Sequence, residues 1–340
     1  MLTGIHQCIL KNRELIEILM KKIIDCFTFF NELDLVEIRL KYLYDIVDYF
    51  VIIEADMTHS GNEKPYIFQQ SMERFAPLKD KIIYIPAKMK HFENEKEVDW
   101  KREGYQRECI AMGLKKIDLH DNDLILISDL DEIPDKKILE DLKTGRTEKL
   151  FRENKKDPDL RLILKGLLYS LKRIRYKLLK SEKNKMQVKL IYYTLIKKFT
   201  PPINFNMWIC NYYVNYLDNN GFWYGTQCLE ARWLKVFSTN EMRNVRNAPI
   251  HTINKSGWHF SYLGGKDLIK FKLKNFAHQE FNIKEIVSDD YIDFCIKNGY
   301  NLFEYYKNPG TKPHYEKKDI TYLPQDLQKI VVDYKNLVLE

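Results

Sequence analysis

Three acidic residues follow a short apolar run near the middle of the chain. Residues 124–127 are typical of a buried strand, and Asp129, Asp131 and Glu132 come directly after them. Carboxylates at the carboxyl end of such a strand lie where open α/β sheets bind ligands. Asp129 and Asp131 cannot both ionise at close range unless a cation or hydrogen-bond donors lie nearby. The pattern therefore predicts a site for Mg²⁺ or Mn²⁺ shared with substrate phosphates, with a solvated acidic turn as the alternative.

Two histidines could complete this metal site. His259 and His278 both lie in aromatic segments, and glycines flank the first of these segments. A lone histidine is more often a satisfied structural group, but neutral imidazole is a common metal ligand. We therefore consider Asp129, Asp131, His259 and His278 candidate metal ligands, and structural roles for both histidines remain the alternative.

An arginine shares a predicted helix face with apolar residues. The pattern of residues 99–118 predicts a helix, and Arg107 falls on the stripe that would face the core. Arginine is rarely buried without an anionic partner. Arg107 could form a structural ion pair with an acid such as Glu54, or extend its stem to reach solvent. It could equally bind a diphosphate beside the metal, since a planar guanidinium suits phosphate oxygens.

The elements that position these residues alternate between strand and helix. This alternation predicts an α/β fold, a Rossmann-like and mostly parallel central sheet with flanking helices and right-handed crossovers. The sequence contains neither GxGxxG nor GxxxxGK[ST], so a dinucleotide fingerprint and a P-loop are excluded. The predicted strands are 23–27, 46–53, 82–85 and 124–127, and the predicted helices between them are 31–44 and 99–118.

The net charge of +7 is concentrated in one segment. Residues 149–198 contain 16 lysines or arginines and four acids. A predicted basic amphipathic helix over 160–178 could lie on an anionic membrane, or it could pack as a helical hairpin with a solvated basic face. We expect no nucleic-acid partner, because the aromatic residues here form no base-stacking platform.

The sequence also predicts the cellular compartment of the protein. No run approaches the roughly 18 apolar residues that a membrane span needs. Charged residues interrupt the first 22 positions, which therefore resemble neither a signal peptide nor an anchor. The six cysteines form no CxxC pair, and Cys26 and Cys109 are expected to be buried free thiols. A cytoplasmic protein is the resulting expectation, with peripheral membrane contact as an option.

Aromatic residues become dense after Pro201 and Pro202. Their faces suit the C–H patches of sugars, and neighbouring asparagines suit hydroxyls, but tyrosine and tryptophan also favour strand cores. We expect part of this cluster to be core and part to be binding site. The candidate sugar contacts are Trp208, Trp223 and Trp258.

Taken together, these segments resemble glycosyltransferase family 17. The likeness covers about 23–135 and 203–285. The resemblance implies a GT-A fold, a nucleotide-sugar donor such as UDP-GlcNAc, a divalent metal held by the Asp-x-Asp pair, and inversion at the anomeric carbon. The matching residues are 24–27, 32–35, Arg39, 47–51, Glu54, Gly61, 64–65, 105–107, 128–134, 257–261 and 276–281.

The resemblance also implies residue roles. Phe27, Glu54, Arg107, Asp129 and Asp131 would bind the donor. Inversion needs a general base on the acceptor hydroxyl, and the second half of the chain must supply it. The candidate bases are Glu230 and Glu280.

The domain boundaries follow from these patterns. Residues 1–22 would form an N-terminal helical extension and 23–144 the nucleotide-sugar half. Residues 145–200 would form a basic helical insertion and 201–340 the acceptor half with C-terminal helices. The expected acceptor is a glycan or lipid-linked glycan. Two other functions remain open: a non-catalytic sugar-binding or membrane-adaptor protein, and a phosphohydrolase that uses its Asp-x-Asp motif as nucleophile.

Overall fold

The computed structural model describes residues 21–90, 92, 98–146, 182–246 and 251–340. The predicted N-terminal extension, except its last two residues, lies outside these ranges. So does the basic helix predicted over 160–178, together with most of the 145–200 insertion.

Four parallel strands form the N-terminal half of one sheet. Their order in the sheet is β3-β2-β1-β4, so β1 lies between β2 and β4. Continuous apolar runs favour such strands, because helices cover both faces of a parallel sheet. The four strands are β1 (Ile23–Phe29), β2 (Tyr49–Ala55), β3 (Ile82–Ala87) and β4 (Leu124–Asp129).

Helices between these strands pack on the sheet. The predicted helix over 99–118 is two helices, because the chain tightens at Cys109, whose N–H donates to the carbonyls of both Tyr105 and Gln106. At Gly113, a Cβ would lie 2.3 Å from Cγ1 of Val51, so only glycine permits this close approach to β2. The helices are α1 (Leu33–Leu43), α2 (Ile67–Gln70), α3 (Val98–Glu108) and α4 (Ile110–Leu114).

The second half of the chain extends the same sheet with mixed pairing. The strand order continues β4-β7-β6-β8-β5, and β9 pairs with the outer part of β7. The strand β5, which follows the acidic residues, pairs antiparallel with β8. The strands are β5 (Glu132–Pro134), β6 (Ile203–Asn211), β7 (Tyr216–Glu230), β8 (His251–Ser261) and β9 (Tyr315–Lys317).

Further α-helices in the described part of the chain flank this half. The helices are α5 (Lys136–Lys143), α6 (Glu182–Leu195), α7 (Thr239–Asn244), α8 (Lys266–Asn275), α9 (Asp289–Asn298), α10 (Leu302–Lys307) and α11 (Gln325–Val331).

Apolar clusters cover both faces of the sheet, and a third cluster packs the C-terminal helices. This architecture confirms the predicted α/β class with a Rossmann-like central sheet. Cys26 and Cys109 are buried free thiols, as expected. Among the described residues, we find no helix with the length and apolarity that crossing a membrane requires.

Candidate active site

Asp129 ends β4 and lies between two buried arginines. Its Oδ2 accepts from Nη2 of Arg243 at 2.8 Å, and its Oδ1 accepts from Nη2 of Arg107 at 3.2 Å. Burial alone would raise the pKa of Asp129, but attraction to Arg243, Arg107 and Arg246 outweighs burial and holds the pKa well below its usual value. About a third of the Asp129 side chain remains exposed, so an ionised carboxylate is accessible at the carboxyl end of β4.

Glu132 is the buried support of this carboxylate. It is fully buried, and its Oε1 accepts from Nη2 of Arg243 at 2.5 Å and from Nε1 of Trp223 at 2.7 Å. Its Oε2 accepts from the backbone N–H of Asp129 at 3.0 Å. Because these partners satisfy both oxygens, Glu132 positions Asp129 and is closed to a ligand.

Arg39 of α1 fixes the backbone of the acidic turn. Its guanidinium forms a fully buried bidentate pair with Asp25 of β1, at 2.8 and 2.6 Å. Its Nη1 also donates to the carbonyls of Asp129, Leu130 and Glu132 at 2.9 to 3.0 Å. Planar guanidinium geometry suits such a fork of acceptors, so one arginine sets the course of the whole turn.

Asp131 lies on the opposite side of the turn with a different cation. Nζ of Lys272 in α8 donates to Oδ2 at 3.0 Å, and Nε2 of His259 lies 3.6 Å from Oδ1. Burial raises the pKa of Asp131, but attraction to Lys272 and His259 outweighs it, so the pKa is lowered. The His259 ring stacks on Trp223 with centroids 4.7 Å apart. The predicted need for cations beside two neighbouring aspartates is therefore met by side chains.

A divalent metal can be tested against this set of donors. Asp129 and Asp131 offer carboxylate oxygens, and Nδ1 of His259 is buried without a hydrogen-bond partner. In the described part of the chain, no group of three or more His, Cys, Asp or Glu residues could hold an ion by itself. Mg²⁺ commonly takes one or two carboxylates and completes its shell with phosphate oxygens and water. The residues fit an ion shared with a diphosphate.

The structure places two predicted donor contacts in supporting positions. Phe27 is fully buried, and the Arg39 guanidinium lies 4.4 Å from its ring centroid. Phe27 therefore supports that arginine and is not accessible to a ligand. Glu54 is also fully buried and binds Lys64, Tyr84 and the first backbone N–H groups of α2. Donor binding by Phe27 and Glu54 was therefore the wrong expectation. Glu54 is not the partner of Arg107 either, because that arginine pairs with Asp129 and Glu103.

The strand register places Glu230 far from Asp129. Glu230 pairs with Leu124, the first residue of β4, whereas Asp129 is the last. Five residues of strand separate them, roughly 16 Å at about 3.3 Å per residue. The Glu230 carboxylate instead binds Thr200 at 2.9 Å and Arg232 at 2.9 Å. The prediction of Glu230 as general base is wrong for this reason.

Glu280 and His278 pair with each other. Oε1 of Glu280 lies 2.7 Å from Nδ1 of His278, and both side chains are exposed. The His278 ring meets Trp100 edge-on at 4.6 Å. The structure therefore does not bring His278 to the aspartates as a metal ligand, whereas it does bring His259 there.

The three candidate tryptophans do not form one surface. Trp258 is 4% exposed and packs in the core against Tyr42, so the expected acceptor contact is wrong. Trp208 pairs opposite Phe222, hence these two rings share a face of the sheet. Trp223 follows Phe222 in β7 and therefore points to the other face, where it contacts Glu132 and His259. Only Trp223 reaches the site.

Sequence reasoning missed two cations of the site, Arg243 and Lys272. Arg243 lies in α7, which begins with a capping box formed by Ser238 and Glu241, and this S-x-x-E signal could have located the helix. Lys272 lies in α8. Neither position carries a local signal of its distant acidic partner.

Comparison with known proteins agrees with this geometry. The sequence model of Glycosyltransferase family 17 matches residues 2–217. Beta-1,4-mannosyl-glycoprotein 4-beta-N-acetylglucosaminyltransferase from Rattus norvegicus is 29% identical over 119 residues, which are 34% of this chain and 22% of that protein. The Homo sapiens protein of that name shares the same identity and coverage, and the Mus musculus protein is 28% identical. The match spans about a fifth of the length of these relatives.

The family match covers most of the chain, including the acidic turn and the residues that hold it from the N-terminal half. The structure places those residues at the carboxyl edge of parallel strands, where α/β enzymes bind ligands. The chain belongs to glycosyltransferase family 17.

Proposed function

We propose that this protein is a metal-dependent, inverting transferase of the GT-A type that moves GlcNAc from UDP-GlcNAc to a glycan or lipid-linked glycan. The observation that carries the proposal is the pair of ionised aspartates, Asp129 at the end of β4 and Asp131 in the turn after it, which different cations hold. GlcNAc as the donor sugar rests on the likeness to N-acetylglucosaminyltransferases.

The two aspartates would divide the donor between them. Arg243 and Arg107 keep Asp129 ionised and oriented, so its exposed oxygens can accept hydrogen bonds from a ribose or from metal-bound water. Asp131, together with His259, would hold Mn²⁺ or Mg²⁺. A metal bound there would neutralise the charge that develops on the leaving diphosphate.

A cavity at the edge of the sheet supports nucleotide binding. It measures about 530 Å³ and opens at the carboxyl ends of β2 and β3, between Asp56, Lys64, Lys88 and Met89. Nucleotides bind beyond the carboxyl ends of parallel strands in open α/β sheets. The cavity and the Asp129 carboxylate therefore lie at the same edge of the sheet.

We also propose a reducing, cytoplasmic setting with peripheral contact to anionic membrane through 149–198. Five cysteines in the described part of the chain are free and buried, as a reducing compartment favours. Most of 149–198 lies outside the described residues, so the membrane contact rests on its sequence charge alone.

The test separates metal binding from turnover. Mn²⁺ binding is measured by electron paramagnetic resonance with and without UDP, and turnover is measured with a panel of nucleotide sugars and acceptors. We expect UDP to tighten Mn²⁺ binding, and UDP-GlcNAc to be consumed only with metal. D131N should lose both effects, whereas the surface variant D121N should keep them. Metal-independent turnover, or the absence of turnover with every donor, would reject the proposal.

A further inference from the structure

Glu32 is a further carboxylate near the acidic turn, and its side chain has an unusual orientation. It stands at the N-cap position of α1, yet in the described structure its side chain makes no capping bond to that helix. Its Oε2 accepts from the N–H of Asn31 at 3.1 Å, and its Oε1 lies 3.5 Å from Nζ of Lys272. The same ammonium lies 3.0 Å from Asp131. Glu32 and Asp131 thus lie on either side of one nitrogen.

A cavity of about 220 Å³ opens beside Glu32. It is smaller than the roughly 300–1,000 Å³ of a site for a drug-sized ligand, which suits one ring of a saccharide. Its lining combines an aromatic ring, an amide and a carboxylate, the groups that contact sugar C–H faces and hydroxyls. The lining residues include Asn31, Glu32, Phe260, Tyr262, Gly264 and Lys272, and several leucines complete the wall.

We propose that this cavity binds the acceptor sugar and that Glu32 is the general base of transfer. The inference rests on the proposed function, and it replaces Glu230, which lies at the far end of β4. Glu132 is closed because it is fully buried and satisfied, whereas about a fifth of the Glu32 side chain is exposed.

The step balances as a single displacement. The acceptor hydroxyl gives its proton to the Glu32 carboxylate, and its oxygen forms the new bond to the anomeric carbon of the donor. The bond from that carbon to the diphosphate oxygen breaks, and its electron pair leaves with the nucleoside diphosphate. Glu32 then releases the proton to water.

Other charged groups face the same cavity. Lys272 lines the cavity and contacts both Glu32 and Asp131. Arg74 and Asp34 also line it and pair with each other at 2.6 Å. Nζ of Lys272 lies 5.4 Å from the centroid of the Tyr262 ring, which is part of the same lining. Lys272 is the cation that contacts Glu32 directly.

The experiment compares E32Q with E37Q in the full-length protein. Glu37 is a matched control, because it lies on the same helix and pairs with two cations, Lys41 and Arg74. General bases contribute about 10²–10⁴-fold, so E32Q should lower kcat at least about 100-fold. UDP and Mn²⁺ affinities should stay within about threefold of wild type, while E37Q should keep its turnover.

A pH profile separates catalysis from structure. The acidic limb of the wild-type kcat profile should vanish in E32Q and persist in E32D, which retains a carboxylate. Retention of more than about a tenth of kcat by E32Q would overturn the inference, as would a loss of UDP affinity that accounts for the lost rate. Inactivity of the wild type with every nucleotide sugar would reject the proposed function itself.

Discussion

Arg243 donates to Asp129 at 2.8 Å although 114 positions separate the two residues. The same nitrogen binds Glu132, so a helix of the second half of the chain holds the acidic turn of the first. Packing of the two halves therefore orients the Asp129 carboxylate and contributes to its lowered pKa.

Replacing Asp131 should remove activity without unfolding the protein. Its side chain pairs with Lys272, which keeps Glu32 as a second partner, so D131N leaves no isolated buried charge. A lost Lewis acid costs several kcal/mol of transition-state stabilisation, so we expect kcat to fall at least about 10³-fold. Turnover and thermal melting check this, with D121N as the surface control. Near-wild-type turnover in D131N would contradict the metal site.

Replacing Arg39 should destabilise the fold. R39M leaves Asp25 buried without its cation and frees three carbonyls of the acidic turn, so the free energy of unfolding should drop by about 3–5 kcal/mol. The double variant D25N/R39M should recover part of this loss, because no buried charge remains. Urea unfolding measures both. Equal stability of the single and double variants would contradict the buried-pair interpretation.

Low pH should lower the free energy of unfolding of the protein, and Arg107 should contribute to this pH dependence. Burial raises the pKa of Asp129, but Arg243 and Arg107 lower it by more. A carboxylate with a lowered folded pKa stabilises the protein above its unfolded pKa of about 3.9, and this contribution is lost as the pH falls toward the folded value.

The free energy of unfolding should therefore decline between about pH 5 and pH 2, and the decline should be shallower in R107L, whose Asp129 has a higher folded pKa. Urea titrations in the presence of a chelator measure it. Parallel pH curves for wild type and R107L would show that Arg107 does not control Asp129.

Glu230 should be dispensable for turnover. E230Q removes a charge opposite the first residue of β4, far from Asp129, so kcat should stay within about twofold of wild type. Thr200 can still bind the amide, so the free energy of unfolding should fall by only about 1–2 kcal/mol. Steady-state kinetics and thermal melting decide this. A large fall in kcat at unchanged stability would return Glu230 to the chemistry.

The basic segment should bind anionic vesicles. Each lysine or arginine near the surface adds about 1 kcal/mol at low salt, and binding should weaken as salt screens these charges. Co-sedimentation compares the full chain with a version in which a short linker replaces 149–198, using anionic and neutral liposomes. Equal sedimentation of the two proteins would reject membrane contact.

The sequence predicted what local patterns determine. The apolar run and the acids after it located Asp129 and Asp131, since a buried strand and its end are both local features. The pattern could not show which residues face each other across the sheet. Glu230 was misplaced for this reason, because its position depends on the antiparallel register of β7 against β4. Arg243 and Lys272 are ordinary surface-type residues in sequence, and only tertiary packing gives them acidic partners.

The separation of Asp129 and Arg243 along the sequence has a consequence for biosynthesis. Synthesis proceeds at about 5–20 residues per second, so the acidic turn is complete roughly 6 to 23 seconds before its arginine exists. During that interval the parallel strands can pair, but Glu132 has no cation with which to enter the interior. The cationic partner of the buried Glu132 therefore becomes available only after the second half has been synthesised.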